Sequence, residues 1–164
     1  MRNQFWNLFV DVKYASIYLP LYRLRLKRIS NIIDGFSILT SASSIAAWYI
    51  WDVLPALWST LIAISQAIQL IKPLSPVSKR LAGLDYAIPE LRSLADEMEI
   101  AWNRSELIHD SDLFELFSSF RMRFTAFESK YFESDSLPDI PKIQNLAMAQ
   151  LESYLALYRE GVKA

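Results

Sequence analysis

At 164 residues the chain is long enough for one domain with a sizeable buried core, and its net charge of −1 singles out neither nucleic acid nor acidic partners. It contains no cysteine, which excludes disulfide scaffolds, thiol chemistry and Cys-ligated zinc. Three glycines and helix-type apolar spacing throughout exclude an all-β fold and predict an all-α chain.

The charges are unevenly spread. Residues 1–30 hold six bases (Arg2, Lys13, Arg23, Arg25, Lys27, Arg28) against Asp11 alone. From Ser105 onward ten acids face six bases. A basic front, a nearly uncharged centre and an acidic tail suggest three regions: 1–28, 29–72 and 73–164.

The first region, "FWNLFVDVKYASIYLPLYRLRLKR", is aromatic on one side and basic towards its end. Phe5, Phe9 and Val12 repeat at helical spacing, so an amphipathic helix is expected, kinked or broken at Pro20. Such a helix either lies among lipid headgroups with its bases snorkelling or packs on the rest of the protein.

The second region is the least polar. Gly35 to Trp51 carries no charge, and neither does Val53 to Ile71. Extended back to Ile29, the first run spans about 22 residues, or roughly 33 Å of helix. That covers a hydrocarbon core of about 30 Å, and the second run reaches about 28 Å. Between them Asp52 suits an N-cap, and Pro55 suits the first turn of the following helix. The expectation is an antiparallel transmembrane hairpin.

Its flanks agree. Arg23, Arg25, Lys27 and Arg28 precede it, Lys72, Lys79 and Arg80 follow it, and the turn has no base. The positive-inside rule then places both termini in the cytoplasm and the turn on the outer side. Trp48, Tyr49, Trp51 and Trp58 gather at the turn as an interfacial aromatic belt would. The alternative is a soluble helical hairpin buried in a bundle. A signal peptide is not expected, because the apolar segment starts late and a second one follows at once.

Within the hairpin, Asp34, Ser37, Ser41 and Ser44 share one helical face. Ser59, Ala63, Gln66 and Gln69 form a matching small and polar stripe. In hydrocarbon an unpaired amide costs several kcal/mol, so these groups need partners. Either they line the water-filled pore of a homo-oligomer, with a ring of Asp34 carboxylates favouring cations, or they are hydrogen-bonding glue between closely packed helices.

The third region opens with "KPLSPVSK", whose prolines interrupt the second helix and offer a joint at Pro73/Pro76. A seam follows through Leu81, Leu84, Ile88, Leu91, Ala95, Met98 and Trp102, with a break or kink expected at Pro89. A second seam runs Leu113, Phe117, Phe120, Phe124, Phe127 and Tyr131, opened by a capping box of Asp112 and Glu115. "ESDSLPDIP" is read as a loop. A last helix carries Ile143, Leu146, Ala147, Leu151, Tyr154 and Tyr158 and stops at Gly161. These seams close a cytoplasmic bundle within one chain or a coiled coil between chains.

Chemistry is sparse. His109, the only histidine, sits in "HDSD", and beside Asp110 and Asp112 it reads as a helix-capping loop rather than a metal corner. No Gly-rich phosphate loop occurs. Asp96, Glu97 and Glu99 read as a solvated helix face. An enzyme is not expected, and no catalytic residue, metal ligand or cofactor is assigned.

The basic amphipathic "YLPLYRLRLKRIS", the hairpin "SSIAAWYIWDVLPALW…ISQAIQLIKPLSPVSKRL" and the long helices after it resemble the SLATT class of bacterial two-transmembrane effectors. The resemblance covers mainly residues 18–102. It implies a homo-oligomer that answers a signal from a partner, such as a soluble nucleotidyltransferase, and permeabilises the inner membrane in antiphage defence. A nucleotide signal would want bases, and in the tail only Arg121 and Arg123 lie close together. The competing expectation is a non-conducting membrane anchor whose helices recruit a soluble partner. Lipid is a partner in either case; nucleic acid is not.

Overall fold

The computed structural model describes residues 1–42, 55–71, 77–132 and 137–161, and among these the chain is all-helical, without strands. Five α-helices are present: α1 (Arg2–Ala42), α2 (Pro55–Ile71), α3 (Val77–Arg104), α4 (Asp110–Phe132) and α5 (Pro141–Gly161). A 3-10 turn, Ser105–Leu107, follows α3. The chain divides into two compact units, one of Met1–Arg23 with Ala82–Ala164 and one of Leu24–Leu81. Both α1 and α3 therefore contribute to both units.

The first unit is a four-helix bundle. From α1, Phe5, Leu8, Phe9, Val12, Leu19 and Tyr22 fall on one helical face and are buried. From α3 the buried set is Leu84, Ala87, Leu91, Leu94, Ala95 and Met98. Leu113, Phe120 and Phe127 come from α4, and Ile143, Ala147 and Leu151 from α5. Each large apolar side chain among them contributes about 1.5–3 kcal/mol of burial. The first helix thus packs as a bundle member, the second of the two placements its sequence allowed.

Contacts between α1 and α3 fix an antiparallel register. The Arg2 guanidinium donates to the Ser105 carbonyl at 3.2 Å. Phe5 stacks on Trp102 with ring centres 6.0 Å apart. Lys13 meets Glu99 at 3.0 Å, and Arg23 pairs with Asp85. Phe5 also meets Phe120 edge-on, which ties α1 to α4. The Tyr18 hydroxyl donates to the Pro138 carbonyl at 2.6 Å, holding the segment before α5.

Neither helical proline breaks its helix. Pro20 lies inside α1 and Pro89 inside α3. A proline in a helix interior costs about 3 kcal/mol, because it removes one N–H and crowds the carbonyl four residues back. Here burial on both sides outweighs that cost. Leu19 and Tyr22 are fixed around Pro20, and Ala87 and Leu91 around Pro89. Pro89 itself is exposed, so water can satisfy the carbonyl it leaves unbonded. The capping box is also displaced. α4 begins at Asp110, so Asp112 lies within its first turn, and the His109 carbonyl accepts from the Leu113 N–H at 3.0 Å.

In the second unit, α2 starts at Pro55, as the turn chemistry suggested. Asp52 and the Pro73/Pro76 joint lie outside the described residues. Among the described residues no helix is long and apolar enough to cross a membrane. The 17 residues of α2 extend about 26 Å, short of a hydrocarbon core of about 30 Å. The second half of α1 is described only to Ala42 and carries Arg25, Lys27, Arg28 and Asp34. Residues 43–51, which would complete the expected first span, lie outside the described residues.

Candidate functional site

Two features compete as functional centres: a polar hub in the bundle and the polar stripe on α2. The hub grows from the aromatic side of α1. Lys13, one turn beyond Phe9, reaches between α3 and α5. Its ammonium donates to Glu99 at 3.0 Å and lies 4.1 Å from the centre of the Tyr154 ring. The Tyr158 hydroxyl donates to the other Glu99 oxygen at 2.7 Å, and Tyr154 donates to Tyr158 at 3.2 Å. Trp6, Phe9 and Trp102 close over this group; Trp6 and Trp102 have ring centres 4.9 Å apart.

Burial pushes the Glu99 carboxyl up, but the hydroxyls of Tyr154 and Tyr158 and the Lys13 ammonium outweigh it, and the carboxyl is held below its ordinary value. Burial, followed by the carboxylate neighbour, raises both tyrosines. The hydroxyls therefore stay protonated and act as donors. A Glu–Lys–Tyr–Tyr group whose members are all engaged with one another fixes the register of α1, α3 and α5 and leaves no free nucleophile or base.

Glu99 is thus not on a solvated face, as the run Asp96, Glu97, Glu99 suggested. Period-3.6 spacing turns it inward, towards the one lysine on the apolar side of α1. Glu97 does face outward, where Arg123 from α4 donates to it through two nitrogens at 2.7 and 3.1 Å. Arg121, its expected basic companion, is exposed. Beside the hub lies an open cavity of about 280 Å³ lined by Lys13, Ser16, Pro20, Arg92, Asp96 and Gln150, among others. It is at the small end for a ligand site. His109 is exposed in the connection before α4, and among the described residues no group of three or more metal-ligating side chains gathers.

The seam residues are spent inside one chain. Leu84, Leu91 and Met98 are buried in the bundle, and Ile88 and Trp102 are partly covered. The coiled coil between chains is therefore not needed to explain them. Arg23, expected at the membrane surface, belongs to the bundle unit through its bond to Asp85. Arg25, Lys27 and Arg28 are exposed.

On α2, Ser59, Ala63 and Gln66 lie on one face and are exposed. Ser65 is buried, on a different side of the helix, at 6 % exposure. The stripe thus faces away from what the chain itself covers. Ser59 donates to the Ala56 carbonyl at 3.0 Å. Among the described residues nothing hydrogen-bonds the Gln66 amide. Ile62, Ile64 and Leu70 are exposed on the same helix, as are Ile32 and Ile38 on α1. Asp34 is half-buried and accepts from Ser30 at 3.5 Å. For Ser37, Ser41, Trp58 and Gln69 the description stops at the backbone, and Ser44, Trp48, Trp51 and Lys72 lie outside the described residues.

The hub was the part that sequence reasoning missed. Its traces were a lone lysine on an aromatic helix face and two tyrosines four apart on α5; their meeting point is set only by packing. Neither family models, curated proteins nor solved structures match this chain, so its likeness to the SLATT class rests on the residues already quoted.

Proposed function

We propose that this chain is an oligomeric pore-type effector of the bacterial inner membrane, with residues 29–72 in the bilayer and both termini cytoplasmic. The single observation that carries the reading is the exposed arc of α2, where the Gln66 amide, without a partner among the described residues, shares a face with Ser59 and Ala63 on the most apolar helix. Lipid offers that amide nothing. Other copies or enclosed water offer it hydrogen bonds, and the neighbouring apolar residues gain cover from lipid. At about 26 Å, α2 needs modest thinning of the bilayer, which costs fractions of a kcal/mol per Å. The antiphage role, the nucleotidyltransferase-type signalling partner and the absence of enzymatic activity come from the resemblance and the residue inventory.

A second reading is a non-conducting anchor whose bundle recruits a soluble partner. It is favoured by the closure of the bundle core within one chain, which leaves the apolar seams unavailable for holding copies together.

One experiment separates the readings. Single cysteines at Ser37, Ser41, Ser59, Ala63 and Gln66, with Ile64 and Ile68 as controls, are probed in membranes with a charged thiol reagent. Reaction along the stripes but not at the controls is the expected result. Protection at every position in membrane-inserted protein overturns the pore and leaves the anchor. Recovery of the chain in the soluble fraction overturns both.

A further inference from the structure

The two units carry opposite charge. Residues 24–81 hold six bases and two acids, and the rest of the chain holds eleven bases and sixteen acids. Four of the six bases stand out. Arg25, Lys27, Arg28 and Lys79 are exposed and make no ion pair with any described residue. On α1 the single buried position among them is Leu26, at 8 % exposure. At 100° per residue Arg25, Lys27 and Arg28 cover the side of the helix opposite Leu26. Lys79 stands in the first turn of α3, which contains no acid, although a helix N-terminus favours negative charge. Arg23, just before this group, is instead neutralised by Asp85.

The surroundings of these bases are apolar. Leu24 and Ile29 flank them at 48 % and 41 % exposure, and Ile32, one turn on, is 71 % exposed. Bases interleaved with exposed aliphatic side chains match a lipid headgroup region, where phosphate and acyl chain lie within a few ångströms. A nucleic-acid duplex would supply the phosphate but leave the aliphatic groups in water.

We propose that Arg25, Lys27, Arg28 and Lys79 form a basic collar that binds anionic phospholipid headgroups and makes membrane association selective for acidic lipid. This inference rests on the membrane reading above. Each base near an anionic surface contributes roughly five-fold in partitioning, and screening by salt reduces the total for four to about 100-fold.

The test uses the full-length chain and two kinds of vesicle, pure phosphatidylcholine and phosphatidylcholine with about a quarter phosphatidylglycerol. Partitioning is followed by flotation at low and high salt. The expected result is tighter association with the acidic vesicles, weakened by salt, lost in the R25Q/K27Q/R28Q/K79Q variant and kept in R23Q. The R25K/R28K variant keeps the preference, since charge and not guanidinium shape is required; circular dichroism checks that each variant is folded. Equal association of the native chain with both vesicles, or an undiminished preference in the fourfold variant, overturns the collar but leaves the membrane reading intact. Association with neither vesicle overturns the membrane reading itself. Tighter binding to duplex DNA than to acidic vesicles overturns lipid as the occupant.

Discussion

The bundle and the unit of residues 24–81 are both helical among the described residues, yet they use their apolar side chains in opposite ways. In the bundle, Phe5, Phe9, Val12, Leu91 and Met98 are covered almost completely. In the other unit Leu26 is the sole buried apolar side chain among the described residues, while Ile32, Ile38 and Leu70 stand about 70 % exposed (71, 69 and 72 %). The bundle therefore carries its own stability, whereas the unit of residues 24–81 leaves these apolar side chains uncovered by the chain itself. Surface apolar groups scattered singly are ordinary. Their concentration in one of the two units is the informative fact.

The largest expected effects break this comparison if they fail. Phe9→Ala or Met98→Ala should cost about 3–5 kcal/mol, a large part of the 5–15 kcal/mol typical of a domain. Ile62→Ala, a truncation of similar size on α2, should cost less than about 0.5 kcal/mol in detergent, because the side chain is already exposed. Denaturant titration followed by tryptophan fluorescence checks both. If Ile62→Ala proves as damaging as Met98→Ala, the unit of residues 24–81 has a core of its own and the contrast is lost.

Next in size is the hub. Glu99→Gln removes the carboxylate that accepts from Lys13 and Tyr158 and should cost about 1–3 kcal/mol. The native carboxyl is held below its ordinary value, so the folded chain binds that proton less readily than the unfolded chain does. Its stabilisation is complete above the unfolded value of 4.5 and is lost as pH falls through the lower folded value. Stability of the native chain should therefore decline in acid below that point, and Glu99→Gln should flatten this limb. An unchanged acid limb would place the pH dependence elsewhere, for instance in Glu90 and Glu97, whose carboxyls are also lowered, by hydrogen bonds from Lys130 and Arg123 respectively.

These effects mark what was legible in the sequence. Apolar periodicity depends on helical geometry alone, so the faces through Phe5, Leu84, Leu113 and Ile143 could be read directly. Whether Leu91 and Met98 close within a chain or between chains depends on loop paths and packing, which periodicity does not contain. Of the break or kink expected at the prolines, the break does not occur, since α1 runs through Pro20 and α3 through Pro89. Local propensity at Pro20 and Pro89 gave way to burial on either side, a tertiary effect worth more than one lost hydrogen bond. Glu99 failed as a surface residue because its partners, Lys13 and Tyr158, are 86 and 59 residues away in sequence. On the candidate pore stripe, spacing placed Ser59, Ala63 and Gln66 together, and the structure adds that the chain leaves this face uncovered.

A smaller prediction sharpens the proline argument. Pro89→Ala restores an N–H to an exposed helix position and should stabilise the bundle by about 1–2 kcal/mol, less than the full helix penalty because proline also restricts the unfolded chain. Destabilisation in thermal unfolding would mean that α3 is shaped around Pro89 and that the bundle depends on that shape.

The smallest effect belongs to the pair between α3 and α4. Arg123 donates to both Glu97 oxygens, at 2.7 and 3.1 Å, and Ser93 adds a third donor at 3.3 Å. The geometry is good, but the two side chains are 48 and 46 % exposed, so water screens most of their attraction. A double-mutant cycle of Arg123→Gln and Glu97→Gln should return less than about 1 kcal/mol of coupling and lose most of it at high salt. Coupling well above that, insensitive to salt, would show that α4 is held on α3 by its polar edge as much as by Phe120 and Phe127. The expected small value instead assigns the two kinds of contact different tasks: apolar burial supplies stability, and the charged edge sets which turn of α4 faces which turn of α3.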